Sequence, residues 1–183
     1  MSGTVTVEDL GTRIEEVLRD RFAERATAAE RYGAEFVALW QTAAEHATGG
    51  KLLRPRLFID LLRALTPAGL TEVETHRAIG IAVDVELLHF AFLLHDDVID
   101  GDLFRRRRPN LIGALAQRHA TDPAESVLHW ARSSAILLGD LLLASATLGF
   151  ARAEASPDTR RRLLACWSRP SSRPSPASTP MSL

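Results

Sequence analysis

An apolar helical run that ends first in acid and then in base constrains this chain more than any other feature. From Glu86 to Pro109 it reads ELLHFAFLLHDDVIDGDLFRRRRP. An apolar segment leads into Asp96, Asp97 and Asp100; Asp102 follows, then Arg105, Arg106, Arg107 and Arg108 in a row. On a helix of about 100° per residue, with Asp96 at zero, His89 falls near ~20°, Asp100 near ~40°, Glu86 near ~80° and Asp97 near ~100°. His89, Glu86 and three carboxylates thus share one face. Like charges at this spacing destabilise a bare helix, so the pattern calls for a cation among them. All the candidate ligands are oxygens, which suits a hard ion such as Mg²⁺ rather than zinc.

The arginines narrow this further. A carboxylate cannot bind phosphate directly, but a carboxylate-held Mg²⁺ can, and Arg forks grip phosphate oxygens bidentately. Metal-binding acids followed within a turn by a basic cluster therefore point to a diphosphate site. The aspartates alone would pass for a solvated helix end, and the arginines alone for a nucleic-acid patch. Their pairing favours the diphosphate.

The rest of the composition is that of an ordinary globular protein: 183 residues, 46% hydrophobic, formal net charge −1. That length is about one domain and can bury a real core. No bulk positive charge draws nucleic acid or anionic membrane. Cys166 is the only cysteine, which excludes a disulfide framework and thiolate zinc sites and fits a reducing compartment. MSGTVTVEDL has no basic-then-apolar signal pattern. The apolar runs Leu87–Leu94 and Ala135–Phe150 are short or interrupted by His89 and Asp140, so no membrane span is expected. These features place the protein in the cytoplasm.

Nearly everything up to Ala165 reads as helix. Ile14, Val17, Leu18 and Phe22 form one apolar stripe; Phe36, Val37, Leu39 and Trp40 form a second. Gly49 and Gly50 close the second, and Pro55 suits the first turn of the next. After a turn over Thr66–Gly69, Thr71 and Glu74 make a capping box that opens the helix carrying the acidic face, and Gly101 ends it. Leu111–His119 reads as a short helix, broken at Asp122-Pro123. The segment from Glu125 to about Ala155 is apolar nearly all round and expects burial inside a bundle. No strand alternation or internal repeat is visible. After Cys166 the chain turns to serine, proline and arginine, a composition expected to stay disordered.

Two further constellations bear on chemistry. Gly49-Gly50-Lys51-Leu52-Leu53-Arg54-Pro55 puts two cations at a glycine-rich helix start, where free N–H groups favour anions. This offers a second anionic pocket that needs no metal. Glu86 and His89 also spell Glu-x-x-His, a ligand pair of di-iron bundles, but the second pair such sites need is missing. Asp140 lies within an apolar helix, facing a pocket or a hydrogen-bond partner.

These segments resemble the trans-polyprenyl diphosphate synthases, the polyprenyl synthetase family. GGKLLRP is similar to its GGK-x-x-RP segment, ELLHFAFLLHDDVIDGDLFRRRRPN to its first aspartate-rich motif with the following double arginine, and SSAILLGDLLLASA to its later Gly-Asp segment. The match covers about residues 10–165. It implies an all-α bundle of the isoprenoid-synthase type. It also implies that Asp96, Asp97 and Asp100 hold Mg²⁺ on an allylic diphosphate, helped by Arg105. Lys51, Arg54, His89 and Arg106 would hold isopentenyl diphosphate. Phe92, one turn before Asp96 with small Ala91 beside it, would floor the cavity and keep products short, in the farnesyl to geranylgeranyl class. The implied reaction is ionisation of the allylic diphosphate, then condensation with isopentenyl diphosphate.

The departures from the family pattern also carry expectations. Arg107 stands where the family commonly has glycine, and Asn110 where it often has threonine. The second aspartate-rich motif has no counterpart, since Asp122, Asp140 and Asp158 are isolated. The chain therefore reads as a partial synthase domain over residues 1–165 with an unrelated, disordered tail over 166–183, the product of a frameshift or split gene. It is expected to be impaired in turnover and to form a homo-oligomer or join a chain supplying the missing helices. Two other readings stand beside this one: a non-catalytic diphosphate-binding remnant or subunit, and a metal-binding bundle such as a class I terpene cyclase. The Lys51–Arg54 segment argues against a cyclase, which has no second diphosphate to bind.

Overall fold

The computed structural model describes residues 7–168 except Asp122. The elements, in order, are α1 (Val7–Ala29), a 3₁₀ turn (Glu30–Tyr32), α2 (Ala34–Ala47), α3 (Leu53–Ala64) and α4 (Glu72–Asp100). A small hairpin of β1 (Phe104–Arg105) and β2 (Arg108–Pro109) follows, then α5 (Leu111–Arg118), α6 (Ala124–Arg152) and α7 (Pro157–Ser168). The all-α class holds. α7 runs past Ala165 into the segment read as tail; residues 169–183 lie outside the described residues, as does Asp122.

The 29-residue helices α4 and α6 form the central pair. Small residues let them close on each other: Ala78, Ala82 and Ala91 on α4, and Ala131, Ala135 and Ala146 on α6, are all buried. Glycines serve the same end. A Cβ on Gly139 would strike the His95 ring, and one on Gly149 would strike the Asp84 carboxylate. α1 buries Leu10, Ile14, Leu18 and Phe22 against α2 and α4. Phe22 meets Trp40 of α2 and Phe90 of α4 at ring-centroid distances of 6.2 and 6.4 Å. Each such large apolar side chain contributes about 1.5–3 kcal/mol by burial.

Local chemistry sets the ends of α4. The Thr71 hydroxyl accepts from the Glu74 N–H while Glu74 accepts from the Thr71 N–H, closing the capping box. At the other end Gly101 takes φ 73 and its N–H returns to the Asp97 carbonyl, a conformation glycine adopts without strain. The hairpin corrects the expectation of no strands. Phe104 pairs with Pro109 and Arg105 with Arg108, and the turn holds Arg106 at φ 52 and Arg107 at φ 66. Two left-handed residues match the turn to the twist of the strands. With strands of two residues, no alternation was available to read.

α4 and α6 each contain an 18-residue stretch of hydropathy 1.7, long and apolar enough to cross a membrane. His89 and Asp140 do not break the stretches as the sequence suggested, but the core helix of a bundle meets the same length and composition. Within the fold, 50% of that stretch in α4 and 39% in α6 is buried. α6 keeps an open apolar side, with Leu137 62% exposed and Ile136, Leu141 and Leu148 partly so.

Asp84 is the most costly polar group in this core. It is buried, one carboxylate oxygen lacks a hydrogen-bond partner, and it sits where a cavity of about 500 Å³ opens between α1, α4 and α6. Burial raises its pKa to about 6, opposed only by the Arg21 guanidinium. The folded chain then holds a proton that the unfolded chain releases near the ordinary aspartate value of 3.8. This group's contribution to stability is therefore largest below the unfolded pKa and falls as pH rises towards about 6. Asp84→Asn should stabilise the fold at pH 7.5, by roughly 1–3 kcal/mol, and have much less effect at pH 4. Urea denaturation at both pH values checks this; an equal effect at both would contradict it.

Candidate active site

The larger cavity, about 860 Å³, gathers segments far apart in the chain. Lys51 and Arg54 come from the glycine turn and the first turn of α3; Glu86, His89 and Asp97 from α4; Arg105, Arg106 and Arg108 from the hairpin. Phe90, Leu93, Leu94 and Leu111 supply apolar wall. Leu52, at φ 46, turns the chain into α3, and no side chain caps that helix. Its first N–H groups are thus open to an anion beside Lys51 and Arg54.

Charge and hydrogen bonding set the character of the cavity. Lys51, Arg54, Arg105, Arg106 and Arg108 face Glu45, Glu86 and Asp97, so the lining is net positive. Burial raises the Glu86 carboxyl above its ordinary range against the pull of Arg54, and one of its oxygens is buried without a partner. His89 is pushed down by burial, then by Arg54 and Arg105, with Asp96 opposing. Burial is the main cause of both shifts and disfavours the charged form of each group; the arginines add to it at His89 and oppose it at Glu86.

Asp97 joins α4 to the hairpin. It is 4% exposed, and its carboxylate accepts from Arg105 at 2.7 Å. Asn110 holds the base of the hairpin: Nδ2 donates to the Asp102 carbonyl at 2.8 Å, and Oδ1 accepts from the Gly113 N–H at 2.9 Å. The Asn110 N–H also donates to the Leu103 carbonyl at 2.9 Å. His46 of α2 reaches the same loop, its Nε2 lying 3.3 Å from the Pro109 carbonyl.

Asp96 and Asp100 are exposed and do not line the cavity, so the three aspartates divide, with Asp97 facing inward. Among the described residues no three His, Cys, Asp or Glu side chains converge to hold a metal. Asp96 and Asp100 remain two oxygen donors one turn apart on an accessible face. That set fits Mg²⁺, which keeps several waters and takes phosphate oxygens as ligands. Phe92 is 48% exposed and lines neither cavity; Ala91 is fully buried. Asp140 reaches solvent and lies 3.3 Å from His95 Nε2, so its partner is that histidine rather than the pocket.

Sequence reasoning counted Arg108 in the basic run without giving it a role of its own, noted Asn110 only as a departure from the family pattern, and passed over His46. Asn110 had a signal, an N-cap residue ahead of an apolar helix. The other two depend on the hairpin register and on the approach of α2, which no local pattern reports.

Comparison with known proteins points to one family. The family model described as polyprenyl synthetase matches residues 37–168. The all-trans-nonaprenyl-diphosphate synthase (geranyl-diphosphate specific) of Rhodobacter capsulatus is 36% identical over 112 residues, 60% of this chain and 28% of that protein. Heptaprenyl diphosphate synthase component 2 of Geobacillus stearothermophilus is 39% identical over 72 residues, 39% of this chain and 21% of that one. Among solved structures, the geranylgeranyl pyrophosphate synthetase of Pyrococcus horikoshii shares 30% identity with a TM-score of 0.57 over 88% of this chain and 42% of its own. The Corynebacterium glutamicum geranylgeranyl pyrophosphate synthase, complexed with isoprenyl diphosphate and magnesium, superposes with a TM-score of 0.66 at 24% identity over 85% of this chain and 45% of its own. The aligned part thus spans from about a fifth to under half of these relatives. With the GGK segment, the aspartate-rich helix and the arginine hairpin meeting at one cavity, the chain belongs to the polyprenyl synthetase family.

Proposed function

We propose that this chain binds an allylic diphosphate and isopentenyl diphosphate for head-to-tail condensation in isoprenoid biosynthesis, in a cytoplasmic setting. The observation that carries the reading is one electropositive cavity that unites Lys51 and Arg54 with Arg105 and Arg106 beside the aspartate-bearing end of α4. Asp96 and Asp100, with Asp97 behind them, would hold Mg²⁺. When bound, the ion supplies Lewis-acid stabilisation of the departing diphosphate. Arg105, oriented by Asp97, adds a preorganised donor for the charge that develops there. Lys51, Arg54, His89 and Arg106 hold isopentenyl diphosphate without metal. The apolar wall of Phe90, Leu93 and Leu94 keeps water from the allylic cation. Phe92 lies outside the cavity, so the reading assigns product length to no residue.

A second reading, a diphosphate-binding subunit with little turnover of its own, is favoured by one observation. Among the described residues no three His, Cys, Asp or Glu side chains converge to hold a metal, so the ion that would match the leaving group's charge has few protein ligands. The open apolar side of α6 supports association with another copy or another chain. The component 2 relative is consistent with a synthase built from more than one chain.

Calorimetry tests the shared core of both readings. Geranyl diphosphate should bind only with Mg²⁺ present, and Mg²⁺ only with the diphosphate, because two or three carboxylates leave half or more of the octahedral positions unfilled. Isopentenyl diphosphate should bind without metal. Identical metal dependence for the two ligands would overturn the two-site assignment.

Lys51→Ala should weaken isopentenyl diphosphate by about tenfold or more, the loss of one charge-assisted contact. Geranyl diphosphate affinity should change by less than about threefold, within ~0.7 kcal/mol. Equal losses for both ligands would merge the two sites into one.

A further inference from the structure

The register of the hairpin carries a consequence beyond the double arginine. β1 and β2 pair antiparallel with Arg105 directly opposite Arg108. Residues opposite one another in such a pair project to the same face, their Cβ atoms about 4.5–5.5 Å apart. Arg105 identifies that face, because its guanidinium reaches the buried Asp97. Arg108 lines the same cavity, whereas Arg107, one residue earlier at the turn, does not.

Two guanidinium groups opposite one another repel, and like charges in this arrangement destabilise a strand pair. Arg105 is compensated by Asp97 at 2.7 Å. Among the described residues Arg108 has no ion pair and no side-chain hydrogen bond. Asn110, buried two residues later, fixes the base of β2 through the Asp102 carbonyl and the Gly113 N–H. The arginine is thus held at the cavity by rigid backbone, with its five N–H donors unused. A guanidinium so placed matches a phosphate oxygen pair.

We propose that Arg108 is an anion-binding residue of this cavity that grips a diphosphate group alongside Lys51, Arg54 and Arg106. The proposal rests on the isopentenyl diphosphate reading above and deepens it. Arg105 is oriented on that face of the ribbon by Asp97, and Arg108 supplies a second cation there. Arg107 serves the turn, where its φ of 66 completes the left-handed pair.

The adjacent arginines provide the test, because Arg107→Gln and Arg108→Gln change net charge equally on the same exposed turn. Isopentenyl diphosphate is titrated calorimetrically, without Mg²⁺, into the full chain and into each variant. Arg108→Gln should weaken binding about tenfold, the loss of one charge-assisted contact; Arg107→Gln should change it less than twofold. Arg108→Lys, which keeps the charge but loses the fork, should fall between, and it guards against misreading a folding defect in the Gln variant. Equal weakening by the 107 and 108 Gln variants would reduce the effect to bulk charge and overturn the proposal. So would wild-type affinity in Arg108→Gln. If Lys51→Ala weakens binding while Arg108→Gln does not, only the Arg108 assignment falls. If the unaltered chain does not bind isopentenyl diphosphate, the functional reading falls with it.

Discussion

The contact between Asp97 and Arg105 is the joint on which the site depends. Asp97 lies in the last turn of α4, where its negative charge opposes the helix dipole. An arginine eight residues later offsets it at 2.7 Å. Removing one partner of a fully buried pair costs about 3–5 kcal/mol. Here the arginine side chain is 42% exposed, so solvent screening reduces that figure substantially. The greater consequence is geometric. The bond brings the hairpin back over the end of α4, and only then do Arg106 and Arg108 meet Lys51 and Arg54 across the cavity.

Close packing of α4 on α6 is the second condition. Alanines at the crossing and glycines under His95 and Asp84 bring the two backbones near each other. That approach explains the Gly-Asp segment of α6: Gly139 makes room for the imidazole of His95, and Asp140 next to it pairs with the same ring. The arrangement leaves α6 open on one side, where Leu137, Leu141 and Leu148 meet solvent. An apolar helix side of this kind is normally covered, and the relatives, about twice as long in their solved structures, have further chain with which to do so.

Much of this was legible in the amino-acid order because it is local. The capping box at Thr71, the stop at Gly101 and the stripes of α1 and α2 follow from propensity and period, which act within a few residues. The candidate anion-binding groups were legible as well, since charge in unusual density next to an apolar run has few other uses. The wheel placed the aspartates on one face about 100° wide, and the fold then divided that face. Asp97 at its edge turned inward to Arg105, while Asp96 and Asp100 stayed in solvent.

What the sequence alone determined, then, is the set of helices, their ends, and a pair of charged segments fitted to diphosphate. Tertiary structure decided which charged groups share a cavity. The role of Arg108 follows from the register of a two-residue ribbon, that of His46 from α2 approaching Pro109, and the pairing of Asp140 with His95 from the crossing of α4 and α6. These contacts join residues 41 or more positions apart or turn on one residue of register. A local pattern constrains backbone shape within a few residues; the meeting of side chains across such distances is set by how whole helices pack.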